Sequence, residues 1–425
     1  MRMKLLVVMV LAASGIACEA IATRIAGGPR PELGAPQGPA GSAFWRVPTE
    51  APAGAQRGDV LHAQERADAP AGSRGWNIIY VSESATGSLT YVSGEVYIPD
   101  AAPEGGAPRQ VVIWNHGTAG QQDSCAPSRN DLVLELREGD RLATDGNSRV
   151  PALASLLQRG YVVAMSDYQG LGTPGGTEYL NGPSQGKAAL DVARAVRKLP
   201  LAAAGDQVAM YGFSQGGQTS LWAAHLAGSY APELTLRGVV ATAPAARHLA
   251  LSFYDLDIPE NAGYFIARMA GLAVGHPEVR LTDMLTPAGL AMLDTQIWDC
   301  FEIFRQAAQM TEPYAYPQAL QPGTAWRGLL EANDAFLPIP ASIPILVIQG
   351  DADVDVGVQL TRDVVRDLCA GASTVEYQEF PRVNHMDMND QAAPQMADWF
   401  AARFAGTAAP NTCTASGGAV GESAR

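Results

Sequence analysis

Ser214 sits at the centre of Gly212-Phe213-Ser214-Gln215-Gly216, with the apolar run 207–211 before it and the helix-compatible run 219–226 after it. A serine at such a junction is a nucleophile-elbow candidate. The sharp turn lifts its hydroxyl clear of the sheet, and the positions two before and two after it must lack side chains. The helix that opens there would aim unpaired N–H groups and a positive dipole end at a developing oxyanion. With 44 glycines in the chain the five-residue pattern arises easily by chance, so the strand before and the helix after carry the weight.

A serine hydroxyl is a weak nucleophile and needs a base within hydrogen-bond reach and an acid to orient that base. On elbow folds these follow in the order serine, acid, histidine. Of six histidines, His62 lies in an N-terminal lead-in, His225 follows the elbow on its helix, and His248 and His276 fall in an apolar insertion. His116 belongs to a turn that it would have to leave to reach Ser214, so a structural role is expected for it. His385, in a loop between the last strand and the last helix, is the expected base. For the acid, the apolar strand 345–350 runs into Asp351, Asp353 and Asp355. The central Asp353 is the expected partner, leaving Asp351 and Asp355 to cap or face solvent. The oxyanion donors are expected at Gln215 N–H, directly after the nucleophile, and in the loop Asn115-His116-Gly117-Thr118 after strand 111–114. There Thr118 offers an N–H and a hydroxyl.

The elements that must position these groups alternate. Short β-rich runs at 110–114, 161–165, 208–211, 236–242, 345–348 and 375–380 are interleaved with helical runs at 152–158, 187–198, 219–226, 358–368 and 391–404. Nearly continuous apolar strands with amphipathic helices between them predict a doubly wound, mostly parallel α/β sheet covered on both faces. Two earlier strands, 77–81 and 89–98, join at a turn over 85–87. The alternation breaks at 247–340, whose helical stretches carry Tyr264, Phe265, Ile266, Met269, Leu272, Met284, Leu285, Leu290, Met292, Leu293, Trp298, Phe301 and Phe304. An apolar helical insertion between neighbouring strands, at the ligand end of such a sheet, is expected to form a cap over the site, with an added subdomain core as the plainer alternative.

The expected organisation is an export signal at 1–22, an extended Pro/Gly/Ala-rich arm at 23–75, core segments at 76–246 and 341–405 flanking the cap at 247–340, and a tail at 406–425. At the N-terminus a basic start precedes the apolar stretch 5–17, too short to span a bilayer. Ala20-Ile21-Ala22 suits cleavage and release, whereas Gly15-Ile16-Ala17-Cys18 is an imperfect lipobox that would place a lipid on Cys18. Cys125, Cys300, Cys369 and Cys413 remain; in an oxidising compartment they make two bridges, in one of three pairings. The formal charge of −14 and the lack of any Lys/Arg block argue against nucleic acid or an anionic membrane as partner. The histidine and cysteine spacings hold no zinc pattern, and no P-loop or dinucleotide fingerprint is present, so no cofactor or metal is expected.

Several stretches together resemble the secretory lipase family, of the Candida antarctica lipase A type, within the α/β-hydrolase superfamily: Phe44-Trp45 with Gly58-Asp59-Val60-Leu61, Ser166-Asp167-Tyr168-Gln169-Gly170-Leu171-Gly172, Tyr211-Gly212-Phe213-Ser214-Gln215-Gly216-Gly217 and Gln349-Gly350-Asp351-Ala352-Asp353. The resemblance implies an α/β-hydrolase fold with an inserted helical cap enclosing an acyl tunnel, Ser214, Asp353 and His385 as triad, and Thr118 and Gln215 as oxyanion donors. It also implies the pairings Cys125–Cys300 and Cys369–Cys413. Thr118 departs from the acidic residue of the best-known member, which puts the balance of acyl transfer and hydrolysis in doubt. The expected function is an exported ester hydrolase acting on a lipid or small ester, compatible with transient contact with a lipid interface, most simply a triacylglycerol lipase. A short-chain carboxylesterase or acyltransferase on the same fold is the alternative. A serine peptidase would want an anionic pocket or a propeller, and a non-catalytic binding protein would be expected to lack a triad member.

Overall fold

The computed structural model describes residues 32–129, 152–294, 300, 307, 309–310 and 318–413. The stretch 1–22 expected to be an export signal, Trp298, Phe301, Phe304 and most of the C-terminal tail lie outside the described residues. Among the described residues, nine strands form one sheet: β1 Val60–Arg66, β2 Ser73–Glu83, β3 Leu89–Pro99, β4 Arg109–Asn115, β5 Val162–Ser166, β6 Ala204–Phe213, β7 Thr235–Thr242, β8 Ile345–Gly350 and β9 Val375–Phe380. Their spatial order is β1-β2-β3-β5-β4-β6-β7-β8-β9. The first four positions in that order pair antiparallel and every later pair is parallel. This is the mixed sheet of the α/β-hydrolase fold.

The strands obey a period of two, but both faces are apolar because both are covered. Val111, Ile113, Val208, Met210, Val239, Ala241, Ile345 and Val347 face one cluster. It is closed by helices α2 Gly182–Arg197, α3 Gln215–Tyr230 and α8 Val358–Ala370. The alternate residues Val112, Trp114, Ala209, Tyr211, Val240, Leu346 and Ile348 face the other cluster. Against them pack α1 Leu153–Gln158 and α9 Asp387–Phe404, the latter through Met388, Met396 and Phe400. Full burial of side chains such as Ile113 or Phe400 stabilises by about 1.5–3 kcal/mol each. Local signals agree with these elements: Asn181 caps α2, its side chain accepting from Ser184 N at 3.3 Å, with a proline in the first turn and Arg194 and Arg197 in the last.

Strand β1 lies inside the stretch read as an extended arm. It pairs with β2, and the short turn Gly41–Trp45 before it inserts the fully buried Phe44 beside Ile79, Val81 and Tyr91. The strand has only partial apolar alternation because it forms the sheet's edge, its outer flank met by a short bridge from Gln37 to Ala63 and most of its side chains only half-buried.

Between β7 and β8, which pair directly, the chain makes helices α4 His248–Leu256, α5 Ala262–Ala273, α6 Pro287–Asp294 and α7 Ala325–Asn333. These have their own apolar cluster, including Phe265, Ile266, Met269, Leu272, Met284, Trp326 and Leu330. Inside it Arg268 Nη2 meets Asp255 Oδ2 at 2.8 Å, both side chains almost wholly buried. Asn261 ties the insertion to the core, donating from Nδ2 to Asp255 Oδ1 at 3.2 Å and to the backbone oxygens of Val354 and Asp355 at 3.3 and 3.4 Å. Disulfides join Cys125 to Cys300 and Cys369 to Cys413. The first bridges the loop after β4 to the insertion, and the second fastens the chain end to α8. Among the described residues no helix is long and apolar enough to cross a membrane.

Candidate active site

Ser214 follows directly on β6 and precedes α3, with φ 55° and ψ −116°. A residue with a Cβ holds that conformation only when its surroundings over-determine it. Here Ser214 N donates to Thr242 O at 2.9 Å, and Ser214 O accepts from Gly217 N at 2.9 Å and Ala245 N at 3.1 Å. The flanking glycines are required by contact: a Cβ on Gly212 would lie 1.9 Å from Gly216 O, and one on Gly216 would lie 1.8 Å from Asn115 O. The elbow is therefore wedged against the end of β4, and Gln215 opens the first turn of α3.

His385 stands between β9 and α9, and Asp353 between β8 and α8. The structure brings both to Ser214. His385 Nε2 lies 3.0 Å from Ser214 Oγ and Nδ1 lies 2.7 Å from Asp353 Oδ2. The carboxylate accepts only, so Nδ1 carries the proton and Nε2 is left to accept from the serine hydroxyl. The two loops that carry Asp353 and His385 are pinned together: Asp351 N donates to Phe380 O at 3.1 Å and Ala352 N to Val383 O at 3.2 Å. A Cβ on Gly350 would fall 2.2 Å from Val383 O. Asp351 itself is exposed and accepts from Arg382 N.

The Asp353 carboxylate is fully engaged. Oδ1 accepts from Asp355 N at 2.9 Å and Val356 N at 2.8 Å, and Oδ2 accepts from Gln349 Nε2 at 2.9 Å as well as from His385. Burial pulls the His385 imidazolium down, but the charge and hydrogen bond of Asp353, and the charge of Asp355, push it up to about 9. Asp355, expected to cap or to face solvent, is half-buried beneath the insertion. Burial raises its carboxyl above the usual range, with Asp353 adding to the rise and His385 opposing it.

The loop after β4 lies against the elbow. Asn115 Nδ2 donates to Ser220 Oγ on α3 at 2.8 Å, and Tyr168 OH donates to His116 O at 3.0 Å. His116 is fully buried, stacked on Tyr168, and burial pulls it down to about 4, so it stays neutral. Thr118 is buried, its Oγ1 2.6 Å from Tyr179 OH. His248, placed by sequence in the insertion, also touches the elbow helix, its Nε2 2.7 Å from Gln218 Nε2.

Two residues beside the site went unassigned in the sequence reading. Gln349 donates to Asp353 and is itself held by Thr361 Oγ1, which donates to its Oε1 at 2.7 Å. A polar residue closing an otherwise apolar buried strand is the signal that could have pointed to it. Tyr179 carries no such signal, because its contact with Thr118 arises only from the fold.

The arrangement compares with known proteins as follows. The family model described as "Secretory lipase" matches residues 147–313. Lipase 6 of Candida albicans is 24% identical over 400 residues, covering 86% of this chain and 82% of that protein. A secreted triacylglycerol lipase of Malassezia globosa is 31% identical over 199 residues, 45% of this chain and 39% of its own length. The solved closed state of Candida antarctica lipase A superposes with a TM-score of 0.67 at 21% identity, covering 84% of this chain and 85% of that one, a likeness of fold. The family match spans the elbow, relatives named lipases align along most of the chain, and the scaffold is that of an α/β-hydrolase: over residues 147–313 the chain matches the secretory lipase family.

Proposed function

We propose that the protein is an exported carboxylic-ester hydrolase that cleaves acylglycerols through an acyl-enzyme on Ser214. The observation that carries this reading is the continuous relay from Asp353 through His385 to Ser214, with hydrogen-bond distances of 2.7 and 3.0 Å. Ser214 Oγ attacks the ester carbonyl carbon as its proton passes to His385 Nε2. The new oxyanion is held by Gln215 N–H and by Thr118 through its N–H and hydroxyl. As the carbon–oxygen bond to the alcohol breaks, His385 returns the proton to the leaving oxygen. Water then attacks the acyl-enzyme, giving its proton to His385, and Ser214 recovers that proton as the carboxylic acid departs. Asp353 stays ionised throughout, holding the imidazole in the productive tautomer.

The helical insertion acts as the cap over this centre. Its apolar interior, and the way Asn261 joins it to the acid loop, suit an acyl chain better than a charged substrate. The relatives described as secreted and secretory, together with the short apolar stretch at 5–17, support export. The function is tested by hydrolysis of p-nitrophenyl esters from acetyl to palmitoyl and of emulsified triacylglycerol, with Ser214→Ala as control. Preference for medium or long chains and loss of activity in the variant are expected. Activity retained in Ser214→Ala overturns the mechanism, and preference for acetyl reassigns the enzyme as a short-chain esterase. The mass of the mature protein distinguishes cleavage after Ala22 from a lipid on Cys18.

A further inference from the structure

Tyr179 is 2% exposed, yet its phenol oxygen lies 2.6 Å from the hydroxyl of Thr118. Its ring belongs to the apolar cluster of the insertion, with Phe265, Met269 and Leu272. Its backbone is clamped there: a Cβ on Gly271 of α5 would sit 2.4 Å from Tyr179 O and 2.5 Å from its N. The residue thus has its body in the insertion and its polar tip at the loop that follows β4, the way tyrosine bridges an apolar and a polar region.

We propose that Tyr179 is a positioning residue for the oxyanion, its phenol donating to Thr118 Oγ1 so that the Thr118 hydroxyl proton turns toward the ester oxygen as that oxygen becomes anionic. This rests on the reading of Thr118 as an oxyanion contact. A phenol is a stronger acid than an alcohol, so the shared hydrogen bond runs from Tyr179 to Thr118. A hydroxyl that accepts one hydrogen bond is polarised to give a better one onward. Burial raises the Tyr179 phenol well above its ordinary value, so the proton stays on the ring across the working range. Because Gly271 fixes where the phenol begins, the insertion sets the aim of a hydroxyl in the core.

The test is a double-mutant cycle on p-nitrophenyl butyrate hydrolysis. Tyr179→Phe removes one oxygen and is expected to lower kcat about tenfold, the equivalent of one hydrogen bond, at unchanged KM. Thr118→Val is expected to lower kcat about 100-fold at unchanged KM. The double variant is expected to be no slower than Thr118→Val alone, because the phenol acts through the hydroxyl that is missing. Thr118→Ser restores the hydroxyl and is expected to recover most of kcat and the sensitivity to Tyr179→Phe. A wild-type kcat in Tyr179→Phe, or a double variant that falls by the product of the two single effects, overturns the proposal. Should the phenylalanine variant fail to fold, Thr118→Val still decides, since wild-type kcat there leaves Tyr179 nothing to position. Ser214→Ala separates the two readings: if it remains active the hydrolase mechanism fails. If it is dead while Tyr179→Phe is fully active, only the positioning role fails.

Discussion

The candidate active site and the helical insertion beside it are held in different ways. Around Ser214 the constraints are mostly backbone: a residue at φ 55°, glycines whose Cβ would strike a carbonyl oxygen below 2 Å, and loops tied to each other by main-chain hydrogen bonds. The insertion rests instead on side chains, a cluster of aromatic and aliphatic residues around the buried Arg268–Asp255 pair. A backbone-built site fixes atoms to within tenths of an ångström, as chemistry demands. A side-chain-built cluster tolerates exchange at constant volume, so its lining can change while the chemistry stays. On the proposed reading, the reaction belongs to the first region and the choice of substrate to the second.

This contrast can be broken at graded strengths. The largest effect is expected from Ser214→Ala: kcat/KM for a p-nitrophenyl ester should fall about 10⁶-fold, while the thermal midpoint stays within a few degrees of wild type. Asp353→Asn should follow, with a loss of about 10⁴-fold in kcat because the imidazole loses its orienting carboxylate. The same variant has a pH signature. His385 must be neutral to accept the proton, so activity rises as pH climbs through its pKa, which Asp353 pushes up. The alkaline-shifted limb of a pH–rate profile should move to lower pH in Asp353→Asn.

Stability gives the converse: the wild-type gain from a raised His385 is complete below 6.5 and lost as pH rises through about 9. The variant should show a flatter thermal midpoint across that window. In the insertion, Arg268→Met strands a buried carboxylate and should cost about 3–5 kcal/mol in denaturant unfolding. Adding Asp255→Leu should return most of it, which would mark the pair as replaceable packing. The smallest effect is expected from Leu330→Met in the insertion core, below about 1.5 kcal/mol. A cost for that exchange equal to the loss of the ion pair would erase the distinction between the two regions.

Legibility in the sequence followed the same division. The parallel core could be read because β4, β6, β7 and β8 are apolar runs, and the elbow because Gly212 and Gly216 are demanded by local geometry. The juxtaposition of His385 and Asp353 with Ser214 could be anticipated because topology delivers successive strand ends to one edge of the sheet. Strand β1 could not, since an edge strand with polar residues in a Pro/Gly-rich stretch has no burial pattern to announce it. The burial of Asp355 depends on what packs over its loop, and the contact of Tyr179 with Thr118 spans 61 residues, so neither has a local signature. The role of Gln349 was not read, its one trace being an anomaly, a single amide in a run of aliphatic side chains.

The bridge between Cys125 and Cys300 has a mechanical consequence. The insertion leaves the sheet after β7 and rejoins it at β8, its direct neighbour, so its two chain attachments define one axis. A panel fixed along one axis swings like a door. The disulfide adds a covalent fastening to the loop after β4, the loop that also carries Thr118, and opposes such a rotation. Reduction of that bond would remove one fastening among several, since Asn261 still ties the insertion to the Asp353 loop and Gly271 still packs on Tyr179.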